Sequence, residues 1–227
     1  MKQKFTVLFD LDGTLVDTAP DLMLAHNHVM RKFGYPTKST EDIRNLVGKG
    51  AGALIGRSIW GQAKKEFSKV LDEKIKDEMV KEFVNFYGKN IVNESTLIAG
   101  VKDFLIWCKE QNISMAVCTN KQEHLSNDLL KKIGIYDFFE YVAGSDTFDY
   151  CKPDPRHLTN VVEILDGDVK KAIMIGDSET DANAAKAAEI PVILLENGYT
   201  EKNTTEIYHN HLIKDFIGIE KIISKYL

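Results

Sequence analysis

The sequence predicts an α/β protein: a parallel sheet with helices on both faces, and a small all-helical module inserted after the first strand. Three observations predict it. Short apolar runs alternate with amphipathic stretches of helical period from Val101 onward. A strand candidate, Phe5-Thr6-Val7-Leu8-Phe9, precedes everything else and ends on carboxylates. Between about Asp17 and Thr96 the periodicity is helical, with no convincing strand. Strands separated by helices build parallel sheets, because a parallel neighbour needs a crossover connection.

In the first strand no proline or glycine interrupts the apolar run. Asp10 and Asp12 follow, two apart, and residues two apart in extended chain point to the same side. Gly13 supplies the permissive backbone for leaving the sheet. From about Pro20 to Phe33, Leu22, Ala25, Val29 and Phe33 share a helical face, and Gly34-Tyr35-Pro36 ends it. A short helix opens at Thr40-Glu41-Asp42-Ile43, with Thr40 as its expected N-cap. Val47-Gly48-Lys49-Gly50-Ala51-Gly52 is a glycine-rich turn, followed by Leu54, Ile55 and Arg57. Lys65 to Tyr87 carries Phe67, Val70, Leu71, Ile75, Met79, Phe83 and Phe86 at helical spacing.

After Gly100 the alternation begins. Val101, Phe104, Leu105 and Cys108 form a helical stripe, and Ile113 to Cys118 reads as a strand ending at Thr119-Asn120-Lys121. A helix from about Glu123 to Ile133 stops at Gly134, and Tyr141 to Gly144 is a weaker strand. Cys151-Lys152-Pro153-Asp154-Pro155 opens a helix to about Leu165. Ala172 to Gly176 is a strand ending at Asp177, Thr180 to Ala188 a helix, and Pro191 to Leu195 a strand before the turn Asn197-Gly198-Tyr199. A strand near Leu212-Ile213 and a closing helix from about Phe216 complete the pattern. The expected organisation is a core of residues 1–16 and 97–227, with a cap of residues 17–96 over the carboxyl ends of the strands.

Composition narrows the partners. A net charge of −5 over 227 residues gives no support for nucleic-acid binding. No apolar run approaches the ~20 residues that span a bilayer. Three cysteines without metal-ligand spacing read as reduced thiols. With no leader-like start, a cytoplasmic protein is expected.

The chemistry gathers at strand ends, where open α/β sheets bind ligands. Asp10 and Asp12 follow the first strand, Thr119 and Asn120 a second, and Asp177 a later one, while Lys152 precedes a helix. Each also has an ordinary reading: an Asp-Gly turn, an N-cap at Thr119, a solvated Lys152, a capping pair at Asp177-Ser178. Their arrival together at one sheet edge is what points to phosphoryl chemistry, since two close anions need a cation or proton between them.

The residues Asp10-Leu11-Asp12-Gly13-Thr14 with Asp17-Thr18, Cys118-Thr119-Asn120, Lys152-Pro153-Asp154-Pro155 and Gly176-Asp177-Ser178-Glu179-Thr180-Asp181, in this order, resemble the haloacid dehalogenase superfamily of aspartate-nucleophile phosphatases. The resemblance implies a Rossmann-like core with a helical cap domain. Val47-Gly48-Lys49-Gly50 with Leu54 and Arg57, Thr119-Asn120-Lys121 and Asn197-Gly198-Tyr199 resemble the phosphoglycolate phosphatases within it. Ala99 departs from the pattern, standing where relatives often have proline at the return from the cap.

The resemblance implies a Mg²⁺ site built from Asp10, Asp177 and the backbone carbonyl of Asp12. It implies Asp10 as nucleophile, Asp12 as acid and then base, and Thr119 and Lys152 as holders of the transferring oxygens. Asp181 is expected to orient Lys152 or a metal-bound water. Asn120, Gly48, Lys49 and Arg57 are the candidate substrate-binding residues, with Lys49 or Arg57 meeting a substrate carboxylate. Against that stands an ordinary helix connector with a solvated Arg57. The expected partner is a small phosphorylated metabolite, with the chain a monomer or homodimer. Other phosphomonoesters (a nucleotide, a sugar phosphate, pyrophosphate), a phosphomutase, and a receiver-type phosphoacceptor domain are the alternatives.

Overall fold

A computed structural model describes residues 4–63 and 73–227. Strand β1 (Thr6–Phe9) is fully buried and central. Six parallel strands form the main sheet in the spatial order β5-β4-β1-β6-β7-β8, where β4 is Ser114–Cys118, β5 Tyr141–Ala143, β6 Ala172–Gly176, β7 Val192–Leu195 and β8 His211–Ile213. The chain runs from β1 outward through β4 to β5, then crosses to the other side of β1 for β6. That reversal makes a crevice at the carboxyl ends of β1 and its two neighbours.

Alternation along β1 sorts two cores. Val7 and Phe9 face a cluster with helices α5 (Val101–Glu110) and α6 (Glu123–Ile133). Leu8 faces the opposite cluster, with Leu158, Val161 and Val162 of α7 (Arg156–Ile164) and Ala184 and Ala185 of α8 (Glu179–Ala187). The expected doubly covered parallel sheet is therefore present. Among the described residues, no helix is long and apolar enough to cross a membrane.

Among the described residues, four helices stand between β1 and α5: α1 (Ala19–Phe33), α2 (Thr40–Arg44), α3 (Ala51–Ala63) and α4 (Glu73–Lys89). Helices α1 and α4 pack together, burying Val29, Met79 and Phe83 in the cluster that continues under β1. Several expectations change. The N-cap of α2 is Ser39, not Thr40: its hydroxyl accepts from the Asp42 N–H at 3.2 Å, and the Asp42 carboxylate accepts from the Ser39 N–H at 3.1 Å. The glycine-rich turn ends at Gly50, and Ala51-Gly52 already belong to α3. Two strands of two residues each, β2 (Val16–Asp17) and β3 (Thr96–Leu97), pair antiparallel where the insert leaves and rejoins. The helix expected from about Phe216 shrinks to α9 (Glu220–Ile223), because Gly218 adopts φ +84° just before it. Phe67, Val70 and Leu71 lie outside the described residues.

Candidate active site

Parallel pairing brings the ends of β4, β1 and β6 side by side, so Thr119, Asp10 and Asp177 emerge as neighbours. The Asp10 N–H still donates to the Ile175 carbonyl at 2.9 Å, which fixes where the chain leaves the sheet. Gly13 then turns at φ +81°. A Cβ there would lie 2.2 Å from Asp177 Oδ2, so any other residue would displace that carboxylate. Asp177 is itself anchored, accepting from the Tyr199 N–H at 2.6 Å and from Thr14 Oγ1 at 3.3 Å.

Lys152 reaches the same edge from the long connection after β5. Its ammonium lies 2.9 Å from Asp10 Oδ1 and 2.5 Å from Asp181 Oδ1. Asp181 Oδ2 accepts from Ser178 Oγ at 2.7 Å and from the Ser178 N–H at 3.0 Å, the capping box that starts α8. Asp181 thus stands behind Lys152 and aims it at Asp10. Burial pulls the Lys152 ammonium down, but the two carboxylates outweigh it and hold it above its ordinary range. Asp10 is raised to about 6, chiefly by burial, with Lys152 opposing. Asp177 is raised too, by burial first and then by Asp10 and Asp181.

Carboxylate oxygens of Asp10, Asp177 and Asp181 lie within 4.8 Å of one another. Buried carboxylates this close are held apart from their preferred charge state, and a divalent cation relieves that strain. An all-oxygen donor set fits a hard cation of the Mg²⁺ kind and does not fit a thiolate- or imidazole-seeking metal. Among these three, Asp181 is already engaged by Lys152 and Ser178, which leaves Asp10 and Asp177 as the freer ligands.

Asp12 has a different environment. Its two oxygens each lie 2.8 Å from Lys121 Nζ, and Oδ1 also accepts from Thr18 Oγ1 at 2.7 Å. Thr119 Oγ1 accepts from the Lys121 N–H at 3.2 Å, which leaves the Thr119 hydroxyl proton to donate elsewhere. Asn120 donates through Nδ2 to the carbonyls of Gly48 and Lys152, at 3.1 and 2.9 Å. It ties the insert's turn to the loop that carries Lys152.

A cavity of about 250 Å³ opens between the core and the helical insert. Asp10, Asp12, Thr119, Asn120 and Lys121 form its floor; Gly48, Lys49, Leu54, Phe83 and Tyr87 belong to its walls. Lys49 is exposed at the rim, without an ion pair to any described residue. Arg57 is not part of this wall. Its guanidinium donates to the carbonyls of Leu46 and Asn45 at 3.2 and 3.0 Å and pairs with Glu201 of the core. The expectation that Arg57 faces a substrate carboxylate therefore gives way to a contact across the seam.

Two residues at the site had no sequence signal as functional groups. Lys121 was visible only as the third residue of the Thr119 loop. His157 is fully buried, and its Nδ1 accepts from the Lys152 N–H at 3.2 Å, supporting the loop that carries the ammonium.

Residues 7–195 match the family model described as haloacid dehalogenase-like hydrolase. A protein of Mesorhizobium japonicum named phosphoglycolate phosphatase is 37% identical over 210 residues, covering 92% of this chain and 90% of its own. One of the same name from Caulobacter vibrioides is 38% identical over 216 residues, covering 95% and 89%. A crystal structure described as a predicted phosphoglycolate phosphatase from Haemophilus somnus superposes with TM-score 0.90 at 30% identity, covering 98% of this chain and 99% of its own.

Proposed function

The chain belongs to the haloacid dehalogenase-like hydrolases, and from that membership we propose that it is a Mg²⁺-dependent phosphomonoesterase working through an aspartyl-phosphate, with 2-phosphoglycolate as substrate. The observation that carries the reading is the contact of Lys152 with Asp10 beside Asp12, Thr119 and Asp177 at one sheet edge. The substrate follows the names of the relatives at 37 and 38% identity. We further propose that residues 17–96 form a cap domain on a core of residues 1–16 and 97–227.

Asp10, Asp177 and the backbone carbonyl of Asp12 would hold the ion. When bound, Mg²⁺ neutralises part of the phosphate's charge so that a carboxylate can approach it. An Asp10 oxygen attacks phosphorus, and the bond from phosphorus to the leaving oxygen breaks. The Thr119 hydroxyl and the Lys152 ammonium donate to the transferring oxygens, where charge accumulates. Asp12 gives its proton to the leaving alkoxide, a poor leaving group without one. Asp12, now a carboxylate, takes a proton from the water that attacks phosphorus. Phosphate leaves, and Asp10 is restored.

The test is turnover of 2-phosphoglycolate against a panel of small phosphate esters, with and without Mg²⁺. Asp10→Asn is expected to abolish turnover on every ester, because an amide cannot act as this nucleophile. Normal activity in the purified variant would remove the mechanism. A better kcat/KM on another ester would keep the mechanism and change the substrate.

A further inference from the structure

Lys121 stands where two pieces of chemistry meet. Its backbone N–H donates to Thr119 Oγ1, and its ammonium bridges both oxygens of Asp12 at 2.8 Å. The side chain is only 5% exposed, so its position is imposed by what surrounds it. On its other side lies the ring of Tyr87, from α4 of the insert, with its centroid 4.5 Å from the ammonium. The negative face of an aromatic ring attracts a cation, and the attraction grows when water is excluded. The ammonium is thus held between a core carboxylate and an aromatic face of the insert.

An acid or base works only within hydrogen-bond reach of the atom that exchanges its proton. An aspartate on a loop can swing about χ1 between staggered wells, and a displacement of 1 Å in such a group can cost about a hundredfold in rate. Thr18 restrains one oxygen of Asp12 and Lys121 restrains both. We propose that Lys121 is a positioning residue that holds Asp12 against the leaving-group oxygen, with Tyr87 keeping the ammonium in place. The inference rests on the reading of Asp12 as leaving-group acid. It adds a dependence of that acid on the insert, because Tyr87 and Lys121 come from opposite sides of the cavity.

The experiment compares kcat/KM across substituted phenyl phosphates and 2-phosphoglycolate, for the full-length protein and its Asp12→Ala, Lys121→Met, Lys121→Arg and Tyr87→Leu variants. Loss of a positioned acid harms poor leaving groups most. Lys121→Met is expected to lower kcat/KM for 2-phosphoglycolate by roughly thirtyfold, below the roughly 10²–10⁴-fold contribution of a general acid because the acid is misplaced rather than removed, and for p-nitrophenyl phosphate by less than about threefold. Lys121→Arg should restore part of that loss, and Tyr87→Leu should reproduce it at about fivefold. A merely structural residue would harm both substrates alike. If Asp12→Ala steepens the dependence on leaving-group pKa and Lys121→Met does not, Lys121 is not the positioning residue and the reading of Asp12 stands. A flat response in Asp12→Ala removes both. Should Lys121→Met fail to fold, Tyr87→Leu, which leaves both buried charges in place, decides, and equal loss on the two substrates overturns the inference.

Discussion

At the scale of single residues, His157 carries the clearest consequence for stability. The imidazole is pushed down to about 4, first by burial and then by the neighbouring Lys152, with Asp181 and Asp154 opposing. In the unfolded chain it titrates near 6.5. Between those values the unfolded state binds a proton that the folded state refuses. Stability from this residue is therefore complete above pH 6.5 and is lost as pH falls toward 4. Between pH 7 and pH 5 the loss should be about 2 kcal/mol. His157→Gln keeps an acceptor for the Lys152 N–H and removes the titration. Urea unfolding at the two pH values should show the wild type falling by that much more than the variant; parallel falls would reject the assignment. No feature of the sequence marks His157, because its role lies in a contact with a backbone five residues away and a buried ammonium. Asp10, Thr119 and Asp177 were legible for the opposite reason. Their position at strand ends follows from the local apolar pattern, and parallel pairing then brings the strands together.

At the scale of elements, helix α1 is joined to the far end of the insert by one side chain. Asp21 stands in the first turn of α1, where an acidic side chain ordinarily serves its own helix. Instead its carboxylate accepts from the N–H groups of Asn93, Glu94 and Ser95 at 3.0, 3.0 and 2.9 Å, and from Ser95 Oγ at 2.6 Å. It gathers the return segment just before β3. Removing it strands donors where water has little access, since Asp21 is 1% exposed. Asp21→Ala should lower unfolding free energy by about 3 kcal/mol, the scale of breaking a buried network, while Asp21→Asn, which keeps one acceptor oxygen, should lose less. Equal stability of wild type and Asp21→Ala in urea would show that the return segment is held by packing alone. The long elements were readable from period and punctuation; the short ones were not. β2 and β3 have two residues each, too few to show an alternation, and exist because the two ends of the insert meet. α3 begins on Ala51-Gly52, where glycine preference argues for a turn and burial of Leu54 and Ile55 overrides it.

At the scale of the whole molecule, insert and core share one apolar cluster and also meet along a seam of polar contacts. Arg44 of α2 pairs with Asp17 at 2.6 Å and lies 5.3 Å above the Tyr199 ring, whose hydroxyl accepts from the Ala19 N–H at 2.9 Å. Arg57 pairs with Glu201. The motif pattern made Arg57 and Lys49 look alike as insert cations; only the folded geometry separates them by what each already holds. Arg57 has three partners and lies off the cavity wall, whereas Lys49 lies on its rim. The two therefore predict different kinetics. Arg57→Ala removes a pair whose carboxylate is 62% exposed; such pairs contribute about 0–1 kcal/mol, so every ester should lose activity by a similar factor, below about fivefold. Lys49→Ala removes a cation available to a charged leaving group, and a charge-assisted contact is worth about 1.5–3 kcal/mol. It should lower kcat/KM for 2-phosphoglycolate by about tenfold or more and leave a neutral alkyl phosphate nearly unchanged. The ratio of the two activities is the measurement. A ratio that falls in Arg57→Ala and holds in Lys49→Ala would return the specificity role to Arg57 and require the seam to open before substrate binds.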